Sequence, residues 1–232
     1  APQCAAAREI VALAQAVPQQ VSAGIGNLRI VAFSGLNEGD HWVHMEILEG
    51  SYGGRYASDG LDAVDTLYAN TRNNPIEDIE SHLPLRVDRY ELRNDAMAAG
   101  RMRGGIGTVR EFTFLADGSF SVEGEGHKYR PWGYDGGSDG YTASLKLVRK
   151  NGEEENLVSK VPYHKAKEGD HLISFGPSGG GYGNPFQREP QSVWFDVQDG
   201  LISPEVAASE YGVVIREGTL DVAATKAMRA SH

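Results

Sequence analysis

The chain has 232 residues, and its 32 acidic residues against 22 lysines and arginines give a formal net charge of −10. Neither half carries an excess of cations, and an acidic surface repels phosphate backbones and anionic lipids, so nucleic acid and membranes are excluded as default partners. A hydrophobic content of 40% with 23% charged residues is typical of a globular protein. The 29 glycines and 10 prolines favour a fold of strands and turns.

The cysteine content and the length of the apolar runs indicate the cellular compartment in which the protein works. Cys4 is the only cysteine, so an intrachain disulfide cannot form, and a reducing cytoplasm fits best. No apolar run approaches the roughly 18 residues of a membrane span, so we expect neither a signal peptide nor a transmembrane helix. The sequence therefore predicts a cytoplasmic protein.

The first predicted elements are a helix and a β-hairpin. Apolar residues follow one face of an amphipathic helix through residues 4–17, and Pro18 ends it. Two β-rich runs, 27–34 and 41–48, flank a polar turn and predict a hairpin. Residues 50–60 contain four glycines and predict a loop.

A short helix and a strand are predicted next. Asn74 as the cap, Pro75 at the first helical position and Glu77 three residues after the cap predict a helix that runs to about His82. The segment that follows alternates like a strand, which would place four residues on one face: Leu85, Val87, Arg89 and Glu91.

Two turn signals predict further hairpins. Asp117-Gly118 and Asn151-Gly152 each separate two β-rich runs, which is a strong hairpin signal. Residues 84–176 are therefore expected to be mostly antiparallel β-structure.

The last part of the chain predicts short elements. Ser203-Pro204 has the residues of a helix start, residues 212–215 predict a short strand, and residues 221–230 a last helix. Together the elements predict an α+β fold that is strand-rich and mostly antiparallel, with a few short helices. We expect a single domain over residues 1–232.

The histidine spacing does not predict a metal site. His41 and His44 form an H-x-x-H pair, but residues three apart on a strand point to opposite faces and cannot chelate one ion. The other histidines are scattered singly and lack a carboxylate at a ligand spacing. We therefore expect no metal within this chain.

Two glycine-rich loops are candidates for anion binding, because their backbone N–H groups can approach a ligand closely. Residues 175–185 lack both nucleotide-binding fingerprints, and tight-turn geometry is the simpler interpretation. In residues 99–105, Arg101 and Arg103 flank a glycine-rich backbone. Arginine suits bidentate contact with carboxylate or phosphate, but it also braces loop carbonyls and neighbouring acids, so both roles remain open.

Four strings occur in one order along the chain: NTRNNPIEDIESHLPLRVDRYELR, AAGRMRGGIGTVREF, KYRPWGYDGG and GPSGGGYGNPFQREPQSVWFDVQDGLIS. In this order they resemble the C-terminal part of the hydantoinase B / 5-oxoprolinase family, from about Gly50 to Tyr211. The family's R-G-G falls on residues 103–105, its P-W-G on 131–133 and its G-G-G-Y-G on 179–183. Asn184 stands where the family has aspartate.

The resemblance implies a place in a larger enzyme. Family members are usually more than twice this length and act beside a hydantoinase A-like subunit that binds ATP. The resemblance implies ATP and a divalent metal in the assembled enzyme, with the metal ligands in the family's N-terminal half and no cofactor in this chain. We expect this chain to be a separately encoded or cleaved C-terminal half, or a fragment, that completes a larger subunit.

Three function hypotheses follow from the resemblance. The first is part of an ATP-dependent cyclic amide hydrolase for hydantoins or 5-oxoproline, with Arg72, Asn73, Arg101 and Arg103 in the wall of a site for the small-molecule substrate. The alternatives are a subunit of a related ATP-dependent ketone carboxylase and a non-catalytic structural or assembly domain. In each case the expected partners are the N-terminal half of the hydantoinase B-like subunit and the hydantoinase A-like subunit. No catalytic residue is carried over onto this chain, and the isolated chain is expected to be inactive.

Overall fold

The computed structural model describes residues 12–65, 71–94 and 96–231. Residues 12–16 are helical and fall within the predicted helix 4–17, of which the first part, including Cys4, lies outside the described residues. A 3-10 turn at Pro18–Gln20 follows. No helix in these ranges is long and apolar enough to cross a membrane.

The described ranges contain eleven strands, in chain order β1 (Arg29–Asn37), β2 (Asp40–Leu48), β3 (Leu85–Leu92), β4 (Thr108–Phe114), β5 (Gly118–Gly124), β6 (Ser144–Val148), β7 (Glu154–Leu157), β8 (Lys160–Ala166), β9 (His171–Phe175), β10 (Ile215–Arg216) and β11 (Thr219–Leu220). Four further helices are α1 (Ile76–His82), α2 (Pro190–Gln198), α3 (Pro204–Tyr211) and α4 (Val222–Arg229). A second 3-10 turn spans Pro185–Gln187.

The strands form two large antiparallel sheets, which confirms the predicted α+β class. One sheet has the order β2-β1-β5-β8 and the other β3-β4-β9-β6-β7, while β10 and β11 pair separately. A cluster of buried aromatic and aliphatic side chains fills the space between the large sheets. At its centre the rings of Phe33 and Phe112, one from each sheet, have centroids 5.0 Å apart. A second apolar cluster, which includes Val193 and Tyr211, lies beneath the C-terminal helices.

Two predicted hairpins are confirmed. β1 pairs with β2 through a turn in which Glu38 and Gly39 both have positive φ, the conformation that matches strand twist in a tight hairpin. β6 pairs with β7, and Gly152 in the connecting turn has a φ of 87°. Both turns are local, so a few residues determine them.

The hairpin predicted at Asp117-Gly118 is wrong. β4 pairs with β3 and β9, whereas β5 pairs with β1 and β8, so this turn joins the two sheets. Gly118 does not take the positive φ of a tight hairpin turn. Phe112 on β4 and Phe120 on β5 are both fully buried, and crossing between the sheets places both rings in one core.

Three local predictions in and around the short elements also need correction. The side chain of Asn74 does not cap α1, whose N-cap residue is Pro75 in an extended conformation. The alternation predicted from Leu85 breaks at a register shift between Val87 and Arg89. The strand predicted at 212–215 is shortened to Ile215–Arg216, since Gly212 adopts the left-handed conformation that ends α3. The side-chain cap at Ser203 forms as expected, and Asp221 also caps the last helix, which the sequence analysis had predicted without naming its cap.

A bundle of extended glycine-rich segments lies beside the sheets. The N–H groups of Gly179, Gly180 and Gly181 donate to three different segments, at the carbonyls of Gly105 (2.9 Å), Gly24 (2.8 Å) and Ser138 (2.9 Å). Successive backbone N–H groups that point to three different neighbouring segments are typical of a polyproline II helix, which has three residues per turn. An added Cβ at Gly180 would lie 2.1 Å from the carbonyl oxygen of a neighbouring segment, so this packing requires glycine.

Candidate functional site

The predicted arginine loop is part of this glycine bundle. Met102 and Tyr182 exchange two backbone hydrogen bonds of 2.9 Å, which fix the loop against residues 179–183. The N–H of Gly105 donates to the carbonyl of Tyr52 at 2.8 Å. The backbone around Arg103 is therefore held on both sides.

Arg103 is buried, at 9% exposure, and its guanidinium is bound inside the protein. Nη1 and Nη2 donate to the two carboxylate oxygens of Asp62 at 2.7 Å and 2.9 Å. The same carboxylate accepts a 2.8 Å hydrogen bond from the backbone N–H of Ile106. Burial opposes the charge of Arg103, but the hydrogen bonds and the charge of Asp62 outweigh it and raise the pKa of Arg103.

A second buried arginine extends this contact into an arginine–aspartate cluster, which we define as Asp59, Asp62, Arg103, Arg188 and Asp196. Arg188 donates to both oxygens of Asp59 at 2.6 Å and 2.9 Å and through Nε to Asp196 at 3.1 Å. Arg103 lies 3.5 Å from Asp196. The cluster joins residues 59–62, the arginine loop and α2.

The electrostatics of the cluster differ between its carboxylates. Burial opposes ionisation of Asp59, but Arg188 and Arg103 outweigh it and lower the pKa of Asp59. At Asp196 burial dominates and raises the pKa despite the same two arginines. The contacts of Arg103 and Arg188 are those of arginines that brace neighbouring acids, which is one of the two roles that the sequence left open.

Arg101 has a different environment from Arg103. Its side chain is half-buried, and Nη2 donates to the carbonyl of Tyr56 at 2.7 Å. The guanidinium carbon lies 5.2 Å from the centroid of the Tyr56 ring, a cation–π distance. None of its donors is bound to a carboxylate within the described parts of the chain, so Arg101 remains able to meet an anion.

The other predicted pair, Arg72 and Asn73, lies elsewhere. Arg72 is exposed, and Asn73 donates through Nδ2 to the hydroxyl of Tyr90 on β3 at 2.7 Å. The Tyr90 ring lies under the guanidinium of Arg110, with 4.0 Å from its carbon to the ring centroid, and burial raises the pKa of Tyr90 to about 12. The four predicted residues are thus divided between the glycine bundle and the segment before α1, where Asn73 contacts Tyr90 near the end of β3.

Behind Tyr90 lies a buried charge network. Arg110 Nη2 lies 3.1 Å from Oε2 of Glu46, and its Nη1 lies 3.9 Å from Oε1 of Glu49. Burial raises the pKa of Glu49, which stands at the end of β2. The three side chains connect the two sheets through their buried faces.

One group of side chains has the composition of a metal site. Asp88, Glu111 and His171 bring their ligand atoms within 4.8 Å of one another on the outer face of the five-stranded sheet. Nδ1 of His171 lies 3.2 Å from Glu111 and 3.7 Å from Asp88. Arg86 and Arg89 already pair with the two carboxylates, so their charge is neutralised and the group fits an ion-pair network better than a divalent cation. His41 and His44 lie on opposite faces of β2, as predicted.

The prediction of site residues passed over a cavity of about 460 Å³ beside the glycine bundle. Its lining includes His127, Lys128, Arg130, Trp132 and Lys160. The available signal was the cluster of cationic and aromatic residues in 127–132, within a chain that is acidic overall. Lys160, Ile25 and Asn27 are brought to the cavity only by the fold.

These observations define the class of protein: a strand-rich α+β chain with two large antiparallel sheets and a hydrogen-bonded bundle of glycine-rich segments. The hydantoinase B/oxoprolinase family matches residues 5–185, and the chain belongs to this family. The resemblance found in the four sequence strings is confirmed.

Two curated relatives show how much of such a protein the chain represents. A putative B subunit of a D-/L-hydantoinase from Pseudomonas sp. (strain NS671) is 62% identical over 208 residues, which are 89% of this chain and 35% of the relative. The beta chain of the caprolactamase from Pseudomonas jessenii is 35% identical over 96% of this chain and 40% of the relative. The chain therefore spans well under half the length of these relatives.

Solved structures show the same fold. The crystal structure of the ATP-dependent caprolactamase from Pseudomonas jessenii matches 95% of this chain with a TM-score of 0.82 and 30% sequence identity, over 40% of its own chain. A nucleotide-free acetone carboxylase matches 94% of this chain with a TM-score of 0.78 and 20% identity, over 34% of its own chain. The second likeness concerns the fold alone.

Proposed function

We propose that this chain is the C-terminal portion of the B-type subunit of an ATP-dependent cyclic amide hydrolase, of the hydantoinase and 5-oxoprolinase type, that works in the cytoplasm. The observation that carries the proposal is the 62% identity with a hydantoinase B-type subunit over 89% of the chain. The 30% identity with a solved ATP-dependent caprolactamase supports the same class of reaction, ring opening of a cyclic amide.

An uncovered sheet face supports the proposal that the chain completes a larger subunit. On the outer side of the four-stranded sheet, apolar residues of β1 and β2 face each other in register, with Ala32 opposite Met45 and Ile30 opposite Ile47. Val43 and Met45 are 75% and 61% exposed. An apolar patch of this kind marks an interaction surface rather than an ordinary monomer surface.

The outer face of the other sheet is different. It carries ion pairs, among them Lys146 with Glu154 and Arg89 with Glu111. Charged pairs are typical of a face that stays in water. The contrast favours the four-stranded sheet as the surface that packs against the N-terminal half of the subunit.

ATP and the divalent metal belong, in this proposal, to other parts of the assembly. A hydantoinase A-like partner supplies ATP binding, and the N-terminal half of the subunit supplies the metal ligands. The described residues support this division, because Asp88, Glu111 and His171 are the group of three with metal-ligand composition and arginines already neutralise their carboxylates. This chain then contributes walls and positioning residues to the site.

Arg101 is the residue we assign to the substrate side of the glycine bundle. Its guanidinium is partly exposed, and among the described residues it contacts a backbone carbonyl and an aromatic ring but no carboxylate. Arg72 and Asn73, exposed and half-buried before α1, are the second proposed contact. Arg103 acts in the same loop as a positioning residue, since Asp62 binds both of its Nη groups.

The test is reconstitution. We would combine this chain with the N-terminal half of a hydantoinase B-like subunit and with a hydantoinase A-like subunit, and measure ATP-dependent ring opening of hydantoin, 5-oxoproline and caprolactam. Hydrolysis by the assembly, with none by the chain alone, is the expected result. Bicarbonate-dependent consumption of acetone without hydrolysis would replace the proposal by a ketone carboxylase, and an active assembly that lacks this chain would leave it as a structural domain.

A further inference from the structure

The cavity beside the glycine bundle has the dimensions of a small-molecule site. It lies between the end of β5, residues 127–132, the start of β8 and Pro177, and its volume is about 460 Å³. Ligand pockets usually enclose about 300–1,000 Å³. Trp132 and Tyr129 contribute ring surface to its lining.

The charge of this cavity is opposite to that of the chain. Lys128, Arg130 and Lys160 line it together with Glu125, which gives a formal charge of +2 in a protein of −10. Glu125 accepts a hydrogen bond from Asn27 at 3.2 Å.

The three cations make no ion pair with any described carboxylate. The contacts of two of them are with rings: Lys128 Nζ lies 5.2 Å from the centroid of Tyr129, and the Arg130 guanidinium carbon lies 5.9 Å from that of Tyr141. Other basic residues do form close ion pairs, as in Lys146 with Glu154 and Lys167 with Asp117.

A fully buried arginine adds a second, independent observation. Arg29 is 0% exposed and pairs in register with Gly124, a lining residue of the cavity, over which its side chain packs. Nη1 donates to the carbonyls of Ser144 and Phe175 at 3.1 Å and 2.7 Å, while Nε and Nη2 have no partner among the described residues.

No carboxylate in the described parts of the chain is bound to this buried charge. Burial and the nearby charge of Arg93 lower the pKa of Arg29. Burial, helped by Arg29, also lowers the pKa of His127, whose buried Nε2 has no hydrogen-bond partner among the described residues. A positive charge that water screens weakly strengthens the attraction of the cavity for an anion.

We propose that the cavity lined by Lys128, Arg130, Lys160 and Trp132 binds the oxyanion of a small molecule, a phosphate or a carboxylate, with the ring of Trp132 against the rest of the ligand. Arginine and lysine donors suit such oxyanions, and arginine adds bidentate geometry. The site is separate from the arginine loop, and the proposal stands without the proposed enzymatic function, since binding is measured on this chain itself.

The experiment is a titration of the 232-residue chain at low salt, followed by the amide and indole N–H signals of residues 124–132 in a two-dimensional NMR spectrum. Inorganic phosphate, ADP and succinate are the three probes. Saturable shifts at the indole of Trp132 and the amides of 127–130 are expected for at least one probe. Tight binding of ADP or phosphate alone assigns a phosphate ligand, and binding of succinate alone assigns a carboxylate.

Matched variants separate the site from general charge attraction. Lys128→Gln, Arg130→Gln and Lys160→Gln should each weaken binding by about tenfold, the loss expected for one charge-assisted contact. Lys165→Gln changes an exposed lysine on the same strand as Lys160, outside the cavity, and should leave the affinity unchanged. Equal weakening by Lys165→Gln, or no saturable shift with any of the three probes, would overturn the proposal.

Discussion

Arg103 and Asp62 form a bidentate ion pair across 41 positions of sequence, with N–O distances of 2.7 Å and 2.9 Å, inside the loop that the sequence analysis singled out for ligand binding. Removing one partner of a buried pair leaves the other charge uncompensated, at a cost of about 3–5 kcal/mol. We therefore expect Arg103→Ala to lower the free energy of unfolding by roughly that amount, measured by urea denaturation.

Arg101→Ala is the matched control for this variant. It removes a neighbouring arginine that is half-buried and bound to a carbonyl and a ring, so its cost should stay below about 1 kcal/mol. In the proposed assembled enzyme, Arg101→Ala should reduce activity although it leaves stability unchanged. Equal destabilisation by both variants would contradict the distinction drawn between the two side chains.

Acid should weaken the arginine–aspartate cluster through Asp59. Its pKa is lowered in the folded state relative to the usual 3.8, so its ionised form stabilises the fold above that value, and this contribution is lost as the pH falls through the folded-state pKa. The difference in unfolding free energy between the chain and Asp59→Asn should be largest near neutral pH and shrink below pH 3.8.

Asp196 contributes to the pH dependence of the unfolding free energy with the opposite sign, because burial raises its pKa. The charge of Asp59 also contributes to this raised pKa, so the difference between the two proteins reports the coupled pair of carboxylates. Denaturation series at several pH values between neutrality and about pH 3 would measure this effect. A difference that stays constant over the whole range would show that the charge of Asp59 does not stabilise the fold.

The glycine bundle should not accept a methyl group at its centre. In Gly180→Ala the new Cβ would stand 2.1 Å from the carbonyl oxygen of Trp132, and a backbone atom cannot move aside without breaking the neighbouring hydrogen bonds. We expect this variant to lose cooperative unfolding in thermal denaturation.

Gly200→Ala provides the comparison. Gly200 has open space around it and a φ of 72°, so alanine there meets only backbone strain, on the order of 1–2 kcal/mol. It should therefore fold with a modest decrease in melting temperature. If Gly180→Ala melted like Gly200→Ala, the close packing of the bundle would be disproved.

The uncovered face of the four-stranded sheet should control assembly. Val43→Glu and Met45→Glu place charge in the apolar patch, and both side chains are mostly exposed in this chain, so its own stability should change by less than about 0.5 kcal/mol. Association with the proposed partner, the N-terminal half of a hydantoinase B-like subunit, should be lost in both variants, as measured by co-purification and light scattering.

Asn156→Glu introduces the same charge at an exposed position of β7, in the other sheet, and should leave association intact. Unimpaired association of Val43→Glu and Met45→Glu would show that another surface of the chain makes the contact.

Local signals in the sequence determined much of the secondary structure. Asn151-Gly152 specifies its hairpin because the turn needs a positive φ, which glycine adopts without strain. Ser203 and Asp221 specify the starts of α3 and α4 because each side chain accepts a hydrogen bond from an N–H in the first turn. The four strings in their order were enough to recognise the family.

Only the tertiary structure decided which strands pair and which charges meet. Asp117-Gly118 has the same residue pattern as a hairpin turn, but the burial of Phe112 and Phe120 in one core sends the chain from one sheet to the other. Arg103 contacts Asp62, and Lys160 lines one cavity with residues 127–132, across long separations that no local spacing encodes. Hydrogen bonds within a turn depend on neighbours in sequence, whereas burial of apolar faces and pairing of charges depend on the whole fold. The candidate functional surfaces are built from buried faces and paired charges, so only the tertiary structure could place them.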